Sequence, residues 1–254
     1  MSKPFRFKEF TIHQDKTAMK VGTDGVLLGA WCSLEDEPES ILDVGSGTGL
    51  IALMLAQRSN AETIDAVELD ENAYEQTVEN FEQSDWGDRL FCYHSSFQEF
   101  AKEMAEEEES YDLIVSNPPF YTDTFETDDD ARNKARFTSS LSFGDLLKGV
   151  RELLSPEGRF VTIIPFKEEQ TFVDLASESN LFVSRVCRVK GTETSEIKRS
   201  LLEFHPSIYF DSAQYKSLRE PKPEVVEEEL VIEISRHNYT EEYKELTSGF
   251  YLRM

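Results

Sequence analysis

Asp43-Val44-Gly45-Ser46-Gly47-Thr48-Gly49 is the stretch whose reading decides the fold. Residues 41–44 before it form an apolar run of strand length, and residues 50–58 after it form an apolar run of helix length. Glycines at alternate positions let the chain turn sharply and let a ligand approach main-chain atoms closely. The amides that open the following helix favour polar or anionic groups. The spacing is not the dinucleotide fingerprint, because Leu50 stands where that pattern needs its third glycine. Asp43 also places a carboxylate ahead of the turn, where a pyrophosphate would be repelled. A ligand with a free ammonium suits it better.

Outward from this turn, short apolar runs alternate with helical patterns. Strands are expected at 63–69, 90–94 and 111–116, and a helix at 72–84 with Tyr74, Val78 and Phe81 on one face. Ser142 begins a helix through a capping box with Asp145, and Leu146, Leu147, Val150, Leu153 and Leu154 follow at helical spacing. Residues 155–158 read as a turn and 160–165 as a fifth strand. This alternation specifies an α/β fold, a mostly parallel sheet with helices on both faces. The last third differs. After a helix at 169–179, strands at 181–189 and 200–204 are expected to form an antiparallel pair at the sheet edge. A strand at 230–234 and a helix at 241–252 complete the chain. Its 254 residues fit one domain. Residues 1–38 would close over the ligand side, 39–166 would form the core, and 167–254 would supply the edge strands and last helix.

Three further groups of residues carry chemistry. Glu68 ends the second strand 19 residues after Gly49, where an acid can accept hydrogen bonds from ribose hydroxyls. Asp70 is the near alternative and also the better helix cap. Asn117-Pro118-Pro119-Phe120 closes the 111–116 strand, at the end of a strand where ligands of open α/β sheets sit. The Asn117 side-chain oxygen and the Pro118 carbonyl can accept the two N–H bonds of an exocyclic amine. That favours a pyramidal, more nucleophilic nitrogen. The prolines fix the backbone, and Phe120 offers a face for a base to stack on. Met19-Lys20-Val21-Gly22-Thr23-Asp24-Gly25 is either a turn with a helix cap from Thr23 or Asp24, or a segment closing over the ligand.

The net charge of −24, from 26 basic and 50 acidic residues, argues against a general nucleic-acid binder. Binding is local, however. Base gathers in the first twenty residues, at Arg132, Lys134 and Arg136, and at Arg185, Arg188, Lys190, Lys198 and Arg199. Acid gathers at 106–109, 128–130 and 224–229. Cys32, Cys92 and Cys187 lack metal spacing and read as buried free thiols, and the four histidines show no ligand spacing, so no metal is expected. No apolar run reaches the length of a membrane span and no leader pattern opens the chain. A cytoplasmic monomer is expected.

Taken together, the Gly-rich turn, Glu68 and Asn117-Pro118-Pro119-Phe120 resemble the class I S-adenosylmethionine-dependent methyltransferases that act on amino nitrogens, a Rossmann-like fold. More closely, the chain is similar to the bacterial valine-tRNA adenine N6-methyltransferases that modify adenine 37. Residues 7–10, 19–31, 53–58 and 238–252 carry that likeness. The resemblance implies S-adenosylmethionine as cofactor, held by Thr23, Asp43, Gly45, Gly47, Gly49, Glu68, Ser96 and Asn117. Asn117, Pro118 and Phe120 would act in catalysis, and tRNA would be the partner, bound in part by Arg132, Lys134 and Arg136. Phe120 stands where the adenine enzymes usually carry Tyr, and Ser96 stands where an acid usually holds the cofactor adenine. Guanine N2 methylation of ribosomal RNA and N5 methylation of a protein glutamine share the motif. Those enzymes are expected to carry a recognition domain ahead of the turn, where this chain has about forty residues. An inactive RNA-binding module of the same fold is the alternative outside the enzymes.

Overall fold

The strand before the glycine turn, β3 (Ser40–Val44), sits inside a nine-stranded sheet, with four other parallel strands around it, two on each side. These are β4 (Thr63–Glu68), β5 (Leu90–His94), β6 (Tyr111–Ser116) and β7 (Leu154–Pro165). All five run parallel. The structure, a computed structural model, describes residues 3–118, 141–206 and 225–253. Beyond β7 the sheet continues through β8 (Leu181–Thr192), β9 (Ile197–Pro206), β10 (Val226–Ser235) and β11 (Asn238–Tyr239), in the order β11-β10-β8-β9-β7-β6-β3-β4-β5. Only β9 and β11 run against the rest. A two-stranded ribbon of β1 (Phe5–Arg6) and β2 (Thr11–Ile12) precedes the sheet.

Alternation along each buried strand feeds two apolar layers. Ile41, Leu113, Val115, Val161 and Ile163 pack under α1 (Thr23–Trp31), α2 (Leu50–Arg58) and α7 (Glu241–Thr247). Their neighbours Leu42, Ile114, Phe160 and Ile164 pack under α4 (Phe97–Glu106), α5 (Phe143–Leu153) and α6 (Glu169–Glu178). Parallel strands buried on both faces read as continuous apolar runs, as these do. Ser142 caps α5 as expected, accepting from the Asp145 amide and donating to its carboxylate.

Several expectations are corrected. The antiparallel pair at 181–189 and 200–204 exists as β8 and β9 but is not the edge. β10 pairs with β8 in parallel and β11 lies outside it. The acidic run that ends at Glu229 explains this, because Glu227, Glu228 and Glu229 ion-pair with Arg188, Arg185 and Lys190 of β8. Residues 155–158 belong to β7, at an irregularity opposite Tyr111 and Leu113, rather than to a separate turn. The last helix stops at Thr247 instead of reaching 252. Cys92 is half-buried, while Cys32 and Cys187 are buried free thiols.

Phe160 of β7 is fully buried and stacks on Phe204 of β9 and Phe172 of α6, with ring centroids 5.9 and 6.4 Å away. It therefore couples the parallel sheet to its C-terminal extension. Phe160→Ala should lower the unfolding free energy by about 3–5 kcal/mol in urea titration. Phe91→Ala on the exposed strand β5 should change it by no more than about 0.5 kcal/mol.

Candidate active site

A cavity of about 550 Å³ opens at the carboxyl ends of β3, β4 and β6. It is lined by Gly45 and Gly47, by Glu68, and by Asn117 and Pro118, with residues 17–19 on another wall. Sequence-distant groups meet here because parallel strands bring their carboxyl ends to one edge.

The glycines divide their roles. Gly45, Gly47 and Gly49 all have positive φ, at 75°, 60° and 74°. A Cβ on Gly45 or Gly47 would meet nothing within 4 Å, so both present bare backbone. A Cβ on Gly49 would lie 2.7 Å from Phe81, so this glycine serves the close approach of α3 (Glu71–Glu82).

Glu68 braces the turn. One carboxylate oxygen accepts from the Gly47 amide at 2.8 Å and the other from the Asp70 amide at 2.9 Å. Asp70 caps α3, the role that suited it better. Asp43 lies beneath the turn rather than on the cavity wall. It is fully buried, accepts from the Ala52 amide at 3.2 Å, and its second oxygen is buried without a hydrogen-bond partner. Burial pushes its carboxyl up to about 7, against the pull of the Ala52 amide and with some help from Glu68.

Asn117 and Pro118 are held by the end of β6. The Ser116 hydroxyl donates to the Val44 carbonyl at 2.9 Å, and the Thr162 hydroxyl donates to the Ser116 carbonyl at 2.8 Å. Both side chains are fully buried. These bonds tie the three strands together just before Asn117 and Pro118.

The buried face of α3 was missed in sequence. Of Tyr74, Val78 and Phe81, only Phe81 is buried, and the rest of the face is Ala73, Gln76, Thr77 and Asn80. Asn80 donates to the Thr48 and His13 carbonyls and accepts from the His13 amide. Gln76 accepts from the Asp15 and Lys16 amides, and Thr77 donates to the Gly47 carbonyl. One helix thus clasps both the glycine turn and the amino-terminal segment. The signal was present as polar residues at helical spacing with Ala73 and Phe81.

Other expected residues fall elsewhere. Thr23 opens α1, whose cap is Gly22 without a side-chain bond, and Asp24 instead pairs with Arg199 at 2.8 Å. Thr23 lines a second cavity, while Thr17, Ala18 and Met19 close on the first. Ser96 spends its hydroxyl on a capping box with Glu99, and its neighbours Ser95, Phe97 and Gln98 form the cavity wall. Phe120, Arg132, Lys134 and Arg136 lie outside the described residues. In the third basic cluster, Arg185, Arg188, Lys190 and Arg199 are each matched by a carboxylate. Among the described residues, no group of His, Cys, Asp or Glu is placed to hold a metal ion, and no helix is long and apolar enough to cross a membrane.

The parallel sheet, the glycine turn and the acidic end of β4 define the architecture of class I methyltransferases. Solved structures agree on the fold. A protein from Agrobacterium tumefaciens described as a predicted O-methyltransferase superposes with TM-score 0.65 at 16% identity, covering 89% of this chain and 96% of its own. A SAM-dependent methyltransferase from the same organism gives 0.55 at 18%, covering 80% and 70%. A family model described as the methyltransferase small domain matches residues 26–168. Proteins named tRNA1(Val) (adenine(37)-N6)-methyltransferase are similar over nearly the whole length. That of Christiangramia forsetii is 56% identical, covering 100% of this chain and 99% of its own. That of Flavobacterium johnsoniae is 54% identical, covering 98% and 100%. That of Bacteroides fragilis is 44% identical, covering 100% of both. The chain belongs to the family of these methyltransferases.

The raised Asp43 carboxyl has a measurable consequence. Between its ordinary value of 3.8 and about 7 it stays protonated in the folded chain and ionises in the unfolded one. The folded state then binds more protons, so this group's contribution to stability falls as pH rises through that window. In the protein without ligand, the unfolding free energy of Asp43→Asn relative to the parent should shift in the variant's favour between pH 4.5 and 7.5. A pH-independent difference would rule out the elevated carboxyl.

Proposed function

We propose that this chain transfers a methyl group from S-adenosylmethionine to the exocyclic N6 amine of adenine 37 in a valine tRNA. The observation that carries the reading is the meeting of Asn117 and Pro118 with the bare glycine turn and Glu68 around one cavity. The names of the relatives favour adenine over the guanine and glutamine readings.

The residues present fit the cofactor. The cradle at Gly45 and Gly47 admits a ligand against the backbone, and behind it one oxygen of buried Asp43 has no hydrogen-bond partner among the described residues and is free to accept one. Glu68 keeps acceptor capacity for ribose hydroxyls beyond its two amide bonds. Ser95 and Gln98, rather than Ser96, offer polar groups on the wall where an adenine ring would rest. When bound, S-adenosylmethionine supplies an electrophilic methyl on its sulfonium.

This chain's own part is to position the amine. The Asn117 side-chain oxygen and the Pro118 carbonyl accept its two N–H bonds, directing the lone pair away from the ring and into line with the methyl. No strong base is needed before attack, because the nitrogen's proton becomes acidic only as the new bond forms. The rate gain is thus one of orientation. Phe120 would stack on the base, and Arg132, Lys134 and Arg136 would contact phosphates.

Asn117→Ala should lower kcat by about 10²–10³, the usual cost of a lost positioning group, while cofactor affinity by calorimetry changes far less. Near-normal turnover in that variant would remove the amine-positioning role. Glu68→Ala should weaken S-adenosylmethionine binding by about 2–5 kcal/mol. Mass analysis of nucleosides from tRNA lacking the modification must identify the product as N6-methyladenosine, and any other methylated nucleoside overturns the substrate.

A further inference from the structure

Residues 19–31 and 238–252 contribute little to the cavity at Asn117, yet they converge on a second cavity of about 590 Å³. We propose that this second cavity receives another nucleobase of the same RNA, one whose edge presents an amino group. The inference rests on the RNA substrate proposed above.

Position is the first argument. Gly191 and Thr192 near the end of β8 and Ile232 and Glu233 of β10 line the cavity. Both strands run parallel to β3, β4 and β6. The second cavity therefore opens along the same edge of the sheet as the first. Residues 17–19 line one cavity and residues 21–23 the other, so a single strap of backbone separates them. From β6 the sheet order passes β7 and β9 to β8 and β10, three to four strand spacings, or about 14–19 Å. An unstacked RNA loop lying along that edge can reach both cavities at once.

Chemistry is the second argument. Phe5, Tyr239, Tyr243 and Tyr251 line the cavity, with Tyr243 buried and the other three half-buried. The rings of Tyr239 and Tyr243 lie 5.3 Å apart, and those of Phe5 and Tyr251 lie 6.2 Å apart. Any base can stack on such surfaces. Glu233 adds selection. One of its oxygens accepts from the His237 amide at 3.2 Å, and an ionised carboxylate accepts several hydrogen bonds but donates none. It therefore suits the amino group of cytosine, adenine or guanine and repels a phosphate. Arg253, exposed at the same cavity, is the phosphate partner.

Charge is the third argument. In a chain of net charge −24, four of the five residues of the third basic cluster (all but Lys198) are matched by its own carboxylates, which leaves fewer cations for phosphates. Stacking of a second base supplies affinity without adding positive charge.

The test uses an RNA hairpin with the valine anticodon loop, carrying 2-aminopurine at each loop position in turn. With the parent protein, fluorescence should respond at the target adenine and at one further position. In Tyr239→Ala the further response should vanish, and KM for the hairpin should rise roughly 5- to 100-fold, more than kcat changes. Tyr239→Phe should restore both, which separates stacking from a folding defect. Glu233→Gln should raise KM while leaving S-adenosylmethionine affinity at the parent value. If the parent methylates the hairpin but only the target position responds, or if Tyr239→Ala keeps the parent KM, the second base site is wrong. If the parent transfers no methyl to the hairpin, the RNA substrate itself fails and this inference falls with it.

Discussion

Because β3, β4, β6, β7, β8 and β10 all run in one direction, their carboxyl ends emerge along a single edge. The residues to which the proposals above give roles share that constraint. Gly45 follows β3, Glu68 ends β4, Asn117 follows β6, and Glu233 lies near the end of β10. β3, β4, β5 and β6 are each followed by a crossover to the next parallel strand, so their ends become loops on the same side, whereas β8 and β10 lead straight into the antiparallel strands β9 and β11.

Holding the loops in register falls to buried polar groups. Asn80 and Gln76 join the amino-terminal segment to α3, and Asn80 and Thr77 join α3 to the glycine turn. Ser116 and Thr162 lock three strand ends together. Such groups cost free energy when buried unless their bonds are made, so satisfied networks select one arrangement of the loops. Among the site's buried groups Asp43 departs from this, with one oxygen lacking a partner among the described residues and its carboxyl pushed up to about 7 by burial. Burial alone accounts for most of that shift, as it does for the buried thiols Cys32 and Cys187 elsewhere in the core.

The charge distribution follows a similar logic. The excess acid is partly structural, since the Glu227–Glu229 run turns three basic residues of β8 into a ladder between neighbouring strands. Exposed ion pairs contribute little each, but in sequence along two strands they match one register. A basic cluster in the sequence was therefore no measure of basic surface.

The sequence alone determined the sheet class, the glycine turn after β3 and the Asn-Pro end of β6. These depend on local patterns: glycines that need positive φ, apolar runs of strand length, and Asn-Pro after a strand. The Ser142 capping box and the Asp70 cap were legible for the same reason, since both close within three residues. Tertiary structure alone decided the rest. It moved Thr23 out of the main cavity, gave Ser96 to a helix cap, buried Asp43 beneath the turn, and placed β10 outside β8. It also showed that the polar face of α3 is buried. Each of these depends on partners separated by tens of residues, such as Asn80 with His13 or Glu228 with Arg185. A polar residue's role is set by which of many distant partners folding brings within hydrogen-bond reach, and no local pattern encodes that distance.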